Sequence, residues 1–275
     1  MIMKRLALLF IMIVAVLSNA ANSQDQKAVK ILESMQERFE ASIEDIDDYI
    51  MEKGNHTVYH KKAYTEDGRP YFKTKSKGAY KQTTESASTT NKDLYSKFFP
   101  KAKEKATYKG TDKVGGNQVH VIYMDQMEVE GFNADRDTED TVEDISLYID
   151  SDKLVVRKME YTVQSKIKGG EAREISPVIK NRDFKNVKGM LIPYETSTIV
   201  KGLNLTEEER EEVEKGLSDF EEKLEEMPES QREMVKEMAG GKIKKYRKMI
   251  EEDQYKQVSQ VKNIEINTGM EMKDF

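Results

Sequence analysis

From Asp48 to Ile266 the chain is written mainly in short runs rich in Val, Ile, Tyr and Thr, separated by tight turns, and that rhythm limits the folds open to it. Two strand-like stretches, Asp48 to Tyr64 and Pro70 to Lys81, flank Glu66-Asp67-Gly68-Arg69, a turn with its glycine in place, and predict a hairpin. Further strands are predicted at Ala106 to Thr111, Gln118 to Met124, Ile145 to Ile149, Leu154 to Lys166, Ile179 to Val187, Leu191 to Val200 and Val258 to Ile266. Links as short as Asp150-Ser151-Asp152-Lys153 and Lys168-Gly169-Gly170 leave room only for antiparallel neighbours, so the pattern predicts a meander. With 37% hydrophobic and 35% charged residues, the chain is lean for a compact globule. A curved sheet with two exposed faces fits that balance.

Helical periods interrupt the strands at three places. Val29, Leu32, Met35, Phe39, Ile43 and Ile46 recur every three or four residues and predict an N-terminal amphipathic helix ending near Ile43. After a polar stretch, Thr83 to Thr90, a short helix carrying Leu94, Phe98 and Phe99 is predicted to stop at Pro100. Between Leu205 and Asp253, Thr206 and Glu209 form a capping-box signal, and Val213, Leu217, Phe220, Leu224 and Met227 repeat up to Pro228. A second helix then runs through Met234, Val235 and Met238 to Met249 and Ile250, completing a helical hairpin. The acidic run Glu207 to Glu214 and the basic run Lys242 to Lys248 would attract one another in that hairpin. No Pro- or Gly-rich linker divides the chain, so the expected fold is one α+β domain over 21–275, with the hairpin inserted at 205–253.

At the start, Lys4 and Arg5 precede an apolar run, Leu6 to Leu17, followed by Ser18-Asn19-Ala20. That is the grammar of a secretory signal peptide cleaved after Ala20; left uncleaved, it would anchor an exported body. There is no cysteine, hence neither a lipid attachment site nor a disulfide. The expected product is a soluble, monomeric periplasmic protein. Removing Lys4 and Arg5 leaves 43 basic against 51 acidic residues, moving the net charge from −6 to −8, which argues against nucleic acid as a partner.

Motifs for catalysis and cofactors are missing: no Gly-x-Ser-x-Gly elbow, phosphate-binding loop or dinucleotide fingerprint occurs. His56 and His60 lie four apart without a third ligand and are expected at the surface. Asp135, Asp137, Glu139 and Asp140 suggest a calcium loop, but Asp140 and Ser146 occupy the positions that need glycine and glutamate. No metal, no cofactor and no enzymatic activity are therefore expected.

Four stretches resemble the outer-membrane lipoprotein-sorting family, the LolA/LolB-like proteins. They are Tyr108 to Ile122 (Tyr-Lys-Gly-Thr-Asp-Lys-Val-Gly-Gly-Asn-Gln-Val-His-Val-Ile), Leu147 to Met159 (Leu-Tyr-Ile-Asp-Ser-Asp-Lys-Leu-Val-Val-Arg-Lys-Met), Val187 to Glu195 (Val-Lys-Gly-Met-Leu-Ile-Pro-Tyr-Glu) and Val261 to Asn267. The resemblance implies a strongly curved antiparallel sheet, an unclosed half-barrel, with helices lying across its concave side as a lid. It also implies an apolar groove that shelters the acyl chains of lipoproteins or other lipids, served by an inner-membrane releasing complex and an outer-membrane receptor. The large hairpin departs from the small carriers, and their lid-holding arginine has no counterpart, since Arg69 falls in a turn and Arg157 on a strand. An envelope-stress sensor of the same fold is the alternative.

Two sets of residues are candidates for the ligand site. Leu217, Phe220, Leu224, Met227, Met234 and Met238 make a flexible, methionine-rich stripe suited to a lid over varied chains, or to joining the hairpin's helices. Alternating strand residues are candidates for the groove: Val121 and Tyr123, Leu147 and Ile149, Val155, Met159 and Tyr161, Ile192 and Tyr194. Period two puts each set on one face without saying which face is concave.

Overall fold

Helix α1, residues 25–42, buries Ala28, Ile31 and Leu32 on one side and carries the half-buried Met35 and Phe39 along the same stripe. It ends one residue before Ile43, as its apolar period predicts, and around it the rest of the molecule is built. The computed structural model describes residues 25–54, 56–78, 98–125, 127, 138–167 and 172–271. The proposed signal segment, Thr83 to Thr90, Leu94, Asp135, Asp137 and the Lys168-Gly169-Gly170 turn lie outside these residues.

The strands are β1 (Asp48–Lys53), β2 (His56–Tyr64), β3 (Pro70–Gly78), β4 (Thr107–Val114), β5 (Asn117–Asp125), β6 (Thr138–Asp150), β7 (Val156–Ile167), β8 (Ala172–Val187), β9 (Met190–Lys201) and β10 (Gln254–Ile266). They form one sheet in the order β3-β2-β1-β10-β9-β8-β7-β6-β5-β4, with antiparallel pairing at every junction. Two meanders are thus spliced by β10, which lies between β1 and β9. The stretch Asp48 to Tyr64, continuous in sequence pattern, is itself a hairpin that turns at Gly54, where φ is +55°. The predicted turn after Tyr64 is also in place, closed by Thr65 and Arg69.

Curvature follows from the core. In a flat sheet of this order, edge strands β3 and β4 would stand about 43 Å apart at the usual strand spacing. Yet Tyr71 of β3 and Tyr108 of β4 share one apolar cluster with Leu32, Ile122 and Leu147, so the sheet wraps round α1. Helix α2, Phe99–Lys105, joins the same cluster through Phe99 and Ala102, and Lys103 pairs with Glu33 of α1 at 3.4 Å. Pro100 begins this helix instead of ending it. The first turn has no use for the missing N–H, and the fixed φ of proline suits it. A second cluster, Ile43, Ile46, Tyr49, Met51, Phe72, Met190 and Ile192, continues the core beyond the end of α1.

Helices α3 (Glu207–Glu225) and α4 (Glu229–Glu252) form the inserted hairpin, with the capping box at Thr206 and Glu209 in place. Gly240 and Gly241 lie within an uninterrupted α4. At the root, Arg173 of β8 pairs with Glu209 at 2.9 Å and Lys245 donates to the Tyr255 hydroxyl at 2.6 Å. Arg247 of the basic run meets Glu221, beyond the acidic run, whereas Arg210 inside the acidic run reaches Asp253 and the Ile250 carbonyl. No described helix is long and apolar enough to cross a membrane.

Candidate functional site

Between α1 and the concave sheet face lies a cavity of about 390 Å³, inside the roughly 300–1,000 Å³ span of small-molecule sites. One wall is α1, with Met35, Phe39 and Ser42. The facing wall comes from β1 (Tyr49, Met51), from the approach to β7 (Leu154, Val155, Val156), and from the β8–β9 hairpin (Phe184, Met190, Ile192). Lys188 and Gly189 turn that hairpin with φ of +50° and +93°, and a side chain on Gly189 would sit 3.7 Å from the Ser42 carbonyl. Glycine there allows the positive φ of the turn, while the contact with Ser42 is at an ordinary distance that a side chain would tolerate.

The polar groups in the lining are mostly spoken for. Asn181 donates to the Val156 carbonyl at 2.9 Å and accepts from Thr196 at 3.0 Å, Ser42 donates to the Phe39 carbonyl at 2.7 Å, and the buried Gln36 donates to Glu40 at 2.9 Å. Arg38 is the lining's charged side chain, and it is exposed at the rim. Behind Tyr49 the aromatic packing is tight: His60 stacks on its ring at 4.0 Å, and Phe72 meets it edge-on at 4.9 Å. Burial, with the cation of Lys53 adding to it, holds the His60 imidazole down to about 3, and burial pushes the Tyr49 hydroxyl upward. His60 is therefore neutral and half-buried behind Tyr49, with its Nε2 out of contact with solvent, while His56 is exposed. No cluster of potential metal ligands occurs among the described residues.

A second, polar cleft of about 410 Å³ adjoins the first at Asn181. Arg157, Lys158 and Arg182 line it, but they are already matched by Asp150, Glu160 and Glu195. Burial would raise the Asp150 carboxyl. The Lys153 amide, the Arg157 guanidinium and the Asp152 amide outweigh it and hold the group below the usual carboxylate range. Arg157 also sits 5.3 Å over the Phe184 ring, pinning the strand that forms the cavity wall.

The strand candidates divide. Val155 and Ile192 line the cavity. Leu147 and Ile149 are buried inward, and Met159 and Tyr161 pack against them, as core beneath α1 and not as cavity lining. Val121 and Tyr123 belong to the opposite face, because Ile122 and Met124, which alternate with them, are the inward pair. Tyr123 there donates to Asp144 at 2.7 Å under the Lys109 ammonium, and that hydrogen bond pushes its hydroxyl up to about 12. Tyr194 lies outside the lining, with the Lys185 ammonium 3.9 Å over its ring.

The hairpin stripe does not reach this cavity either. Leu217 and Ile250 line a cleft between α3 and α4, with Glu221 and Arg247 beside them. Leu224 is buried, Phe220 and Met227 are half-buried, and Met234 is 57% exposed. The Met238 side chain lies outside the described residues. Helix α1, and not the hairpin, covers the cavity. Sequence reasoning missed Met35 and Phe39 as lining residues although their apolar period was plain, because the same period serves a helix that simply fills a core.

No protein-family profile matches the chain, and no curated protein matches it. Among solved structures, a DUF1329 family protein from Desulfovibrio piger is similar at 9% identity, covering 90% of this chain and 95% of its own, with a TM-score of 0.41, a likeness too slight to carry an argument about fold or function.

Proposed function

We propose that this protein is a periplasmic lipid-binding protein of LolA-like half-barrel type, exported by its first twenty residues, that shelters an alkyl chain between α1 and the sheet. The observation that carries the reading is the cavity, whose walls are mainly Met, Phe, Tyr, Leu, Val and Ile side chains from α1 and the sheet. Each methylene removed from water is worth roughly 0.8 kcal/mol, so a ten-carbon chain gains on the order of 8 kcal/mol there. Acyl chains of lipoproteins or of free lipids are the ligands this supports, and binding without chemistry is the activity. In outer-membrane lipoprotein sorting, such a carrier would load at an inner-membrane complex and unload at an outer-membrane receptor.

The test is titration of the chain from Ala21 onward with a fluorescent fatty acyl probe. Binding should saturate, and Val155→Trp, which fills the cavity from a half-buried wall position, should weaken it. Absence of saturable binding by a protein with native circular dichroism would remove the proposal. Mass spectrometry of copurifying material then identifies the natural ligand.

A further inference from the structure

The cavity is chemically lopsided. Apolar side chains make most of its walls, and among the described residues no carboxylate lines it and its one charge is the Arg38 guanidinium at the rim. Arg38 stands on α1 next to Phe39 and one turn beyond Met35, and all three line the cavity, the cation at the solvent side of the apolar wall. Among the described residues Arg38 has no ion-pair partner. The neighbouring cleft, by contrast, has Asp112 and Asp183 in its lining beside five cations, of which Arg157, Lys158 and Arg182 each pair with a carboxylate. Glu40, two residues beyond Arg38, is engaged by Gln36.

A guanidinium is a planar fork of donors whose geometry matches a carboxylate or a phosphate. Placed unpaired at the mouth of an apolar cavity, it suits a ligand with a tail and an anionic head. The volume, near the lower end for small-molecule sites, suits one chain and not several. Resting on the reading of the cavity as an alkyl-chain site, we infer that the ligand is a single-chain anionic amphiphile, its tail between α1 and the sheet and its carboxylate or phosphate head on Arg38. Chains attached to a lipoprotein carry neutral ester and amide links where they leave the cavity, so they would leave Arg38 unused. This makes the head the discriminating feature.

The experiment is displacement of a bound fluorescent probe by four ten-carbon ligands: decanoate, decyl phosphate, decanol and decyltrimethylammonium. The two anions should bind about fivefold tighter than decanol, and the cation weakest, with the difference shrinking in high salt. Arg38→Gln should bring decanoate and decyl phosphate down to the affinity of decanol, and Arg38→Glu should invert the order of anion and cation. Arg38 is exposed, so neither change threatens the fold. A preference for decanoate alone or for decyl phosphate alone identifies the head as carboxylate or phosphate, each supporting the inference. Equal binding of decanoate and decanol by the native protein, or an anion preference that survives Arg38→Gln, overturns the inference while leaving the alkyl-chain reading intact. Failure of all four to bind overturns both.

Discussion

Around α1 the sheet buries large side chains almost completely, with Leu32, Ile122 and Met124 at 0% exposure and Phe72 at 1%, whereas the hairpin of 19- and 24-residue helices buries only Leu224 and Ile250 among its described apolar residues. The first region is held by transfer of apolar area out of water. The second is held by a capping box, by ion pairs such as Glu221–Arg247, and by a short root on the sheet. Exposed ion pairs contribute at most about 1 kcal/mol each, and a buried aromatic contributes several times that. The two regions should therefore respond very differently to damage, and the cavity belongs entirely to the first.

The largest effect should come from Phe72→Ala. The ring packs edge-on against Tyr49 inside the second core cluster, and its loss leaves a hole beside the stacked Tyr49–His60 pair. A loss of about 3–5 kcal/mol in urea denaturation is expected, with one transition for the whole sheet. A loss below about 1 kcal/mol would mean that β2 and β3 are not part of the cooperative core.

Next comes Asp48, on β1. Its carboxylate is 1% exposed and accepts from the Thr268 hydroxyl at 2.8 Å, the Thr268 amide and the Met270 amide at 3.1 Å, with Lys61 at 3.5 Å. Burial raises its pKa, but the Thr268 hydroxyl and amide and the Lys61 cation outweigh burial and leave it lowered. Asp48→Asn keeps the shape while removing the charge and one acceptor. A cost of about 2–3 kcal/mol at neutral pH is expected. Because the folded pKa is depressed, this stability is present above the ordinary carboxylate pKa and is lost as pH falls through the lowered one. The gap between native protein and variant should accordingly close in strong acid.

His60 gives a smaller effect in a different pH window. Its folded pKa of about 3 lies below the ordinary value of 6.5, so the unfolded chain takes up a proton first. Stability should fall as pH drops from 6.5 toward 3, by roughly 2 kcal/mol at pH 5. His60→Gln should flatten that slope in melting temperature against pH, above the range where Asp48 acts. An unchanged slope would place the imidazole in contact with water, against its buried Nε2, which has no hydrogen-bond partner.

How much of this was legible in the residues depends on the range of the interaction. Helix α1 and the hairpin follow from local period and from Thr206 and Glu209, because those signals act within a turn or two. The strand segments and the turn at Gly68 are equally local. The inward face of β5 is not, since Val121 and Tyr123 are as apolar as Ile122 and Met124, and period two is symmetric until something packs on one side. The Asp48–Thr268 anchor joins residues 220 positions apart, and the cavity gathers short pieces of α1, β1, β7, β8 and β9. Neither has a local signature. Pro100 was ambiguous for another reason: the same ring that breaks a helix interior is favoured in a first turn.

The smallest effect, and the sharpest test of the contrast, is removal of the hairpin. Lys201 at the end of β9 and Gln254 at the start of β10 are already paired in register, so a short turn can join them without moving either strand. The excision loses the Arg173–Glu209 bridge and the Lys245–Tyr255 contact, both at the root, and none of the residues lining the cavity. The sheet should melt within a few degrees of the intact protein, and binding of a fluorescent acyl probe should be unchanged. The sequence alone left two roles open for the methionine stripe, a lid that touches the ligand or a seam that joins the two helices, and only the first predicts a change in binding. If the shortened protein stays folded but loses or releases the probe more readily, the hairpin closes over the cavity in the loaded state and the division drawn between the two regions fails. If the shortened sheet does not fold, the hairpin contributes more through its root than those two contacts account for.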